Sequence, residues 1–235
     1  MRRKAPVQFL GEGALATAPP YPTRLIAGGL SVADSSKPPL SMPPFPPLRW
    51  DGHFWKGRVV LGSWRGFQSR LGAYGAISST TESDGTARLS VPPPAGVAER
   101  PPSAEQANAL RYLLDHEEAI RDALVAAILE EYPVIRDRLL GQGFVDDSDM
   151  PALERPEQLK SHIGLSTVHV LPVVKGDAAY VGFEFGCTWD DEHGLGVMTH
   201  QGRIVDLPHL GIGKVSGGDL ASEEWMAEED ARSSD

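Results

Sequence analysis

The chain has 235 residues, of which 41% are hydrophobic, and its mean hydropathy is -0.23. This is enough apolar material for one domain with tails or two very small domains, and it excludes a chain that is disordered throughout. No apolar run approaches the roughly 20 residues of a membrane helix, so we expect no contact with a membrane. The net charge of -10 argues against nucleic-acid binding, which needs cations to neutralise phosphates, and permits a basic protein partner.

The cysteine content narrows the class of protein further. Cys187 is the single cysteine, which excludes an internal disulfide and a multi-cysteine zinc site. A lone cysteine suits a reducing compartment, so we expect a cytoplasmic protein. The sequence also lacks a phosphate-cradling glycine loop, a Gly-x-Ser-x-Gly elbow and a His-Glu-x-x-His motif, and we expect no cofactor.

The N-terminal region is rich in proline. Residues 1–47 contain 10 of the 20 prolines, with a dense run at 38–47. Proline lacks the backbone N–H and fixes φ, which disfavours helix and central strand and favours polyproline II. We therefore predict a flexible arm over 1–47, either mobile or strapped across the surface.

The folded part is expected to begin near Leu48 with a β unit. The apolar run 59–61 lies between two glycines, and a turn signal at 83–85 precedes the apolar segment 87–91. This pattern predicts a strand–turn–strand unit.

A helical region follows two proline clusters. Ser103 and Gln106 have the spacing of a capping box, and apolar residues then recur at helical intervals to about Glu131. Pro133 is expected to end the helix. A helix of this length is long for the domain, which predicts a break near residues 116–117.

The region from 165 to 207 has the pattern of an antiparallel meander. A hairpin turn at 175–177 precedes a strand over 181–189, where apolar residues alternate with small and polar ones. A second strand over 195–200 continues the alternation, and Gln201-Gly202 can turn the chain again.

The faces of these strands predict a small polar cluster. A two-residue turn at 176–177 would place His169 opposite Glu184, and a five-residue loop at 190–194 would place Glu184 opposite His200. The three side chains then form a candidate catalytic site, with Glu184 as base, or the ligands of a metal ion. A structural polar network between strands is the alternative. Nearby glycines would let another group approach the backbone closely.

A charged loop after the alternating strand is the candidate partner-binding site. Its acids could bind a cation, pair with a basic protein surface, or form a solvated turn. An aromatic residue flanked by charge is typical of an interface hot spot. The candidate contact residues are Trp189, Asp190, Asp191, Glu192 and His193.

Together these elements predict an α+β fold. Antiparallel β-sheet units flank one long or broken helix that covers a sheet face. We expect a flexible arm over 1–47, one domain over 48–220 and an acidic tail over 221–235, in which Trp225 and Met226 anchor a short helix.

Four segments, 50–55, 63–70, 164–170 and 181–197, resemble an uncharacterised bacterial family, a domain of unknown function found in stand-alone proteins. The block EFGCTWDDEHGLGV at 184–197 is its most specific part, and the resemblance covers roughly residues 48–227. It implies no activity for any residue. By type, the family resembles the small acidic proteins that act as immunity proteins beside bacterial polymorphic toxins.

Three functions remain open at this point. The first is a non-catalytic, immunity- or antitoxin-like inhibitor that binds a basic toxin by charge complementarity. The second is a small metal-dependent or acid–base enzyme using the His169, Glu184 and His200 cluster. The third is a structural accessory domain without a ligand.

Overall fold

One seven-stranded sheet organises the chain, and the order of its strands is their order in the sequence. Every neighbouring pair is antiparallel except β3 and β4, which are parallel. The strands are β1 (Arg49–Trp50), β2 (Trp55–Val60), β3 (Thr86–Val91), β4 (Ile163–Lys175), β5 (Ala178–Cys187), β6 (Leu195–His200) and β7 (Arg203–Ile204). The computed structural model describes residues 38–69, 81–94, 97–143, 145–190 and 192–233.

Two helices, α1 (Ala104–Asp115) and α2 (Glu117–Gln142), connect the parallel strands. A parallel pair needs such a long crossover, which a hairpin cannot supply. The predicted capping box is present: Gln106 N donates to Ser103 Oγ at 3.2 Å, and Ser103 N donates to Gln106 Oε1 at 2.9 Å. The predicted break lies at His116. Together the sheet and helices confirm the α+β class.

The prediction that Pro133 ends the helical region is wrong, because α2 continues through it to Gln142. Proline has no N–H, so one helical hydrogen bond is missing at this position. Tertiary contacts on both sides of the proline hold the helix. Tyr132 Oη donates to the carbonyl of Pro151 at 2.8 Å, and Arg136 Nε donates to that of Met150 at 2.8 Å.

The main core lies between the two helices and one face of the sheet, here called the first face. Apolar side chains from alternate positions of the strands pack against the helices and are fully buried. They include Leu89, Val168, Phe183 and Val197 from the sheet and Leu110, Leu124 and Ile128 from the helices.

The opposite, second face is covered over β5, β6 and the end of β4. A 3-10 helix at Gly218–Ser222, called the cap turn, and helix α3 (Glu224–Ser233) pack there. Met226 and Ala227 join Tyr180 and Met198 in a second apolar cluster. None of the helices in the described part of the chain is long and apolar enough to cross a membrane.

Glycines let the cap turn reach the sheet. A Cβ atom on Gly182 would lie 1.6 Å from the carbonyl oxygen of Ala221, and one on Gly196 would lie 2.5 Å from that of Gly217. The expected close approach to these glycines is therefore made by the chain's own backbone.

The last part of the proline-rich segment packs onto the domain. Leu40 and Leu48 exchange backbone hydrogen bonds of 2.7 and 3.0 Å, and Phe45 and Leu48 are buried. Of the flexible arm predicted over 1–47, residues 1–37 lie outside the described residues.

Candidate functional site

The first polar cluster depends on the pairing of β4 with β5. The predicted turn at 176–177 is present, since Lys175 pairs with Ala178. The predicted pairing of His169 with Glu184 is wrong: His169 lies opposite Gly182, and Thr167 lies opposite Glu184. An irregularity between Val170 and Val174 shifts the register, and it contains Pro172, which has no N–H for a regular ladder.

The pairing of β5 with β6 also differs from the prediction. Glu184 lies opposite Gly196 rather than His200, and the ladder ends with Phe185 opposite Leu195. The connection between the strands is therefore longer than five residues. A turn held by Asp190 closes it, in which His193 N donates to Asp190 Oδ1 at 2.9 Å and Gly194 has a φ of 62°.

The structure still brings His169 and Glu184 together, as diagonal neighbours on adjacent strands. His169 Nε2 lies 3.1 Å from Glu184 Oε2, and the side chains are 12% and 33% exposed. Burial favours the neutral form of Glu184. The hydrogen bond and charge of His169 outweigh this effect, together with Thr167 and Arg88, so the pKa of Glu184 lies below its usual value.

His200 lies apart from this pair. Its Nε2 is 3.0 Å from the carbonyl oxygen of Lys175 and 3.3 Å from that of Ala178, and its ring packs against Tyr180. Over the described ranges of the chain, no three His, Cys, Asp or Glu side chains are grouped closely enough to hold a metal ion. The geometry therefore provides an imidazole–carboxylate pair and not the expected trio.

The acidic loop, residues 189–193, forms the second candidate site. Trp189 is 8% exposed and packs its ring against Tyr132 of α2 at 5.2 Å, nearly at right angles. Glu192 and His193 are exposed, while Asp190 is half-buried and faces the ring of His193 at 3.3 Å. Asp191 lies outside the described residues.

Trp189 and Asp190 also line a groove between α2 and the segment 211–217, with a volume of about 360 Å³. Its wall on α2 carries Val134, which is 67% exposed. The sequence prediction missed this wall because it ended the helix at Pro133, although the apolar spacing continues beyond it. The remaining apolar side chains of the groove are Ile135, Leu139, Leu195, Ile212, Val215 and Leu220.

The loop and the His169–Glu184 pair meet at Gly218 of the cap turn. Gly218 N donates to the carbonyl oxygen of His193 at 2.9 Å. A Cβ atom on Gly218 would lie 3.3 Å from Cγ of Glu184. The cap turn thus fixes the position of the acidic loop relative to the sheet.

Comparison with known proteins gives a family and no activity. Residues 83–212, just over half of the chain, match the family described as "Domain of unknown function (DUF6985)". No curated protein and no solved structure shows a significant match. The match spans β3 to β7 and includes the block at 184–197, and it confirms the resemblance to an uncharacterised family. The chain belongs to the DUF6985 family.

Proposed function

We propose that this protein is a non-catalytic protein-binding domain that holds a basic protein partner in the groove beside the acidic loop. The observation that carries this proposal is an apolar groove with acidic groups around it. Val134 is 67% exposed, and the carboxylates of Glu131 and Asp190 line the same groove. Exposed Glu192 follows Asp190 by two residues in the loop.

These features select a partner with one apolar side chain flanked by Lys or Arg. The apolar side chain would enter the groove beside Val134, and the cations would face the loop. The net charge of -10 would also accelerate the encounter with a basic protein. Arg138 lies on α2 at the groove and offsets the charge of Glu131 on the same helix, so the net negative charge of the groove lies on the loop side.

The specific form of the function is inhibition of a basic toxin, as by an immunity or antitoxin protein in the bacterial cytoplasm. An acidic protein can block a basic enzyme by covering its substrate site and needs no chemistry of its own. The net charge and the resemblance in type to immunity proteins support this assignment.

The test is site-specific photo-crosslinking in the host cell, with the crosslinker placed at Val134. Leu114 on α1 is the matched control, since it is also an exposed apolar helix residue. A basic protein captured from Val134 and not from Leu114 is the expected result. The purified partner should then bind E192K at least tenfold more weakly at unchanged thermal stability. Equal capture at both positions, or full affinity of E192K, would contradict the proposal.

A further inference from the structure

The second face of the sheet is polar over β2, β3 and the start of β4, beyond the cap turn. The strand registers arrange its side chains in two rows that run across the strands. One row contains Arg58, Arg88, Thr167, Glu184 and Gly196. The other contains Lys56, Ser90, His169, Gly182 and Met198. Three of these side chains, Lys56, Arg58 and Arg88, form what we call the cationic patch.

Two arginines of this patch repel each other. Arg58 and Arg88 are direct cross-strand partners in the antiparallel pair, where like charges are destabilising. Both residues are exposed. Among the described residues, no ion pair or hydrogen bond of the Arg58 side chain is found. Within the described part of the chain, no carboxylate therefore forms an ion pair with Arg58.

Lys56 adds a third cation beside them. Its Nζ donates to Ser90 Oγ at 2.7 Å. Burial lowers the pKa of Lys56, and the charge of Arg88 lowers it further, against the opposite effects of Asp51 and Glu184. Of the three charges that act on Lys56, Asp51 has the largest effect, and burial is the main cause of the lowered pKa.

Glu184 compensates only part of this charge. One of its oxygens is engaged by His169, and the other lies 4.0 Å from Nη2 of Arg88, at the outer limit of an ion pair. The carboxylate is held on the β5 side of the row, with Thr167 between it and Arg88. Arg58 and Lys56, on β2, lie farther along the rows.

We propose that the cationic patch binds the phosphate group of a small phosphate monoester. Guanidinium forks of Arg58 and Arg88 match phosphate oxygens, and the ammonium of Lys56 supplies a third donor. A phosphate monoester carries about -1.5 to -2 charges at neutral pH and offers three strong acceptor oxygens to the three cations. Glu184, fixed by His169, acts as a positioning residue for Arg88.

This site is separate from the groove and does not depend on the proposed partner. The groove lies between α2 and the segment 211–217, whereas the patch lies on β2 and β3. A ligand on the patch would also relieve the Arg58–Arg88 repulsion. Phosphate is therefore expected to stabilise the folded protein.

The experiment is an NMR titration of the full chain with inorganic phosphate, observing arginine Nε–H and backbone amide signals. Acetate at equal ionic strength separates phosphate binding from general charge effects. We expect saturable shifts on β2 and β3 with phosphate alone, and a small soluble ester such as glycerol phosphate should give the same shifts. R58Q and R88Q should each weaken binding about tenfold, as expected for hydrogen bonds to a charged group.

The matched control is R111Q, on α1, where the exposed Arg111 side chain bonds only to Asn108 among the described residues. It should bind phosphate like the wild type. R58Q removes the repulsion between Arg58 and Arg88, and it breaks no ion pair or hydrogen bond of the described residues. The variant is therefore expected to fold with an unchanged or higher melting temperature.

Several outcomes would overturn this assignment. They are the absence of saturable shifts, equal effects of acetate and phosphate, and equal losses in R58Q and R111Q. Binding to vesicles containing phosphatidic acid without binding of soluble phosphate would also overturn it, since the patch would then contact a lipid surface.

Discussion

A buried carboxylate joins the last helix to the sheet. The side chain of Asp230 in α3 is only 7% exposed and lies between three partners from β4, β5 and β7. Tyr180 Oη donates to it at 2.7 Å, Arg203 binds it with both terminal nitrogens, and Lys175 Nζ lies 3.7 Å away. Burial favours the neutral acid, but the hydrogen bonds of Arg203 and Tyr180 outweigh it, so the pKa of Asp230 lies below its usual value.

Replacing this carboxylate by an amide is expected to weaken the docking of α3. We predict that D230N lowers the free energy of unfolding by about 1–2 kcal/mol, a reduced value because the half-exposed Arg203 can regain water. Urea unfolding measures the change. E228Q, an exposed change on the same helix, should have little effect on the free energy of unfolding. An equal loss of stability in both variants would mean that the net charge of α3, and not the contacts of Asp230, is responsible.

The ion pair of Asp230 with Arg203 predicts that the free energy of unfolding depends on pH. Because the pKa of Asp230 is lower in the folded state, its contribution is complete above the unfolded value of about 3.9 and is lost as pH falls below it. The stability difference between wild type and D230N should therefore be constant near neutral pH and shrink in acid. A difference that persists unchanged below the unfolded pKa would show that packing, not charge, is responsible.

A single methyl group is expected to displace the cap turn. In G182A the new Cβ would meet the carbonyl oxygen of Ala221, a contact that only backbone movement relieves. We predict a loss of about 1–3 kcal/mol and faster hydrogen exchange over 218–233, with α1 still protected. G141A is the matched control, since that helix position has open space and alanine favours helix. Unchanged exchange in G182A would contradict this account of the glycine.

At the scale of elements, α2 is unusual in continuing past a proline. Pro133 removes one helical hydrogen bond, and its ring is exposed. We predict that P133A stabilises the protein by about 1–2 kcal/mol, less than in an isolated helix because alanine also makes the unfolded chain more flexible. Thermal unfolding tests this prediction, with R138A as a control at an exposed position of the same helix. A destabilised P133A would mean that the groove wall needs the proline.

Local patterns in the sequence determine the elements that could be predicted. The capping box at Ser103 and the turn at 176–177 each depend on a few adjacent residues, and the break at His116 was predicted from the length of one continuous helical pattern. The strand registers could not be predicted in the same way. The irregularity at Pro172 and the long turn at Asp190 each shift a whole strand, and their size depends on packing between distant segments.

The candidate site likewise combines features that the sequence predicts with features that depend on the strand registers. His169 and Glu184 share a face by alternation alone, so their contact survived a wrong register. The separation of His200 followed from the longer connection. The sequence prediction missed the cationic patch because 25 residues separate β2 from β3. No local pattern determines the register of these two strands, which pairs Arg58 with Arg88.

At the scale of the whole molecule, the family match is smaller than the folded unit. It ends at residue 212, before the cap turn and α3. We predict that a chain cut after residue 212 exposes Tyr180 and Met198, binds a hydrophobic dye and self-associates. A chain cut after Ser233 is the control and should behave like the full chain in size-exclusion chromatography. A monomeric, dye-free protein ending at 212 would show that the cap is dispensable.

The order of the strands has a consequence for folding during synthesis. Each strand pairs with the one made just before it, so the sheet can grow in the direction in which the chain leaves the ribosome. The parallel step from β3 to β4 interrupts this growth, because both helices must be made before β4 can find its partner. The glycine-lined face of β5 and β6 then stays uncovered until the cap turn and α3 emerge, and a nascent chain stalled before them presents that face to chaperones.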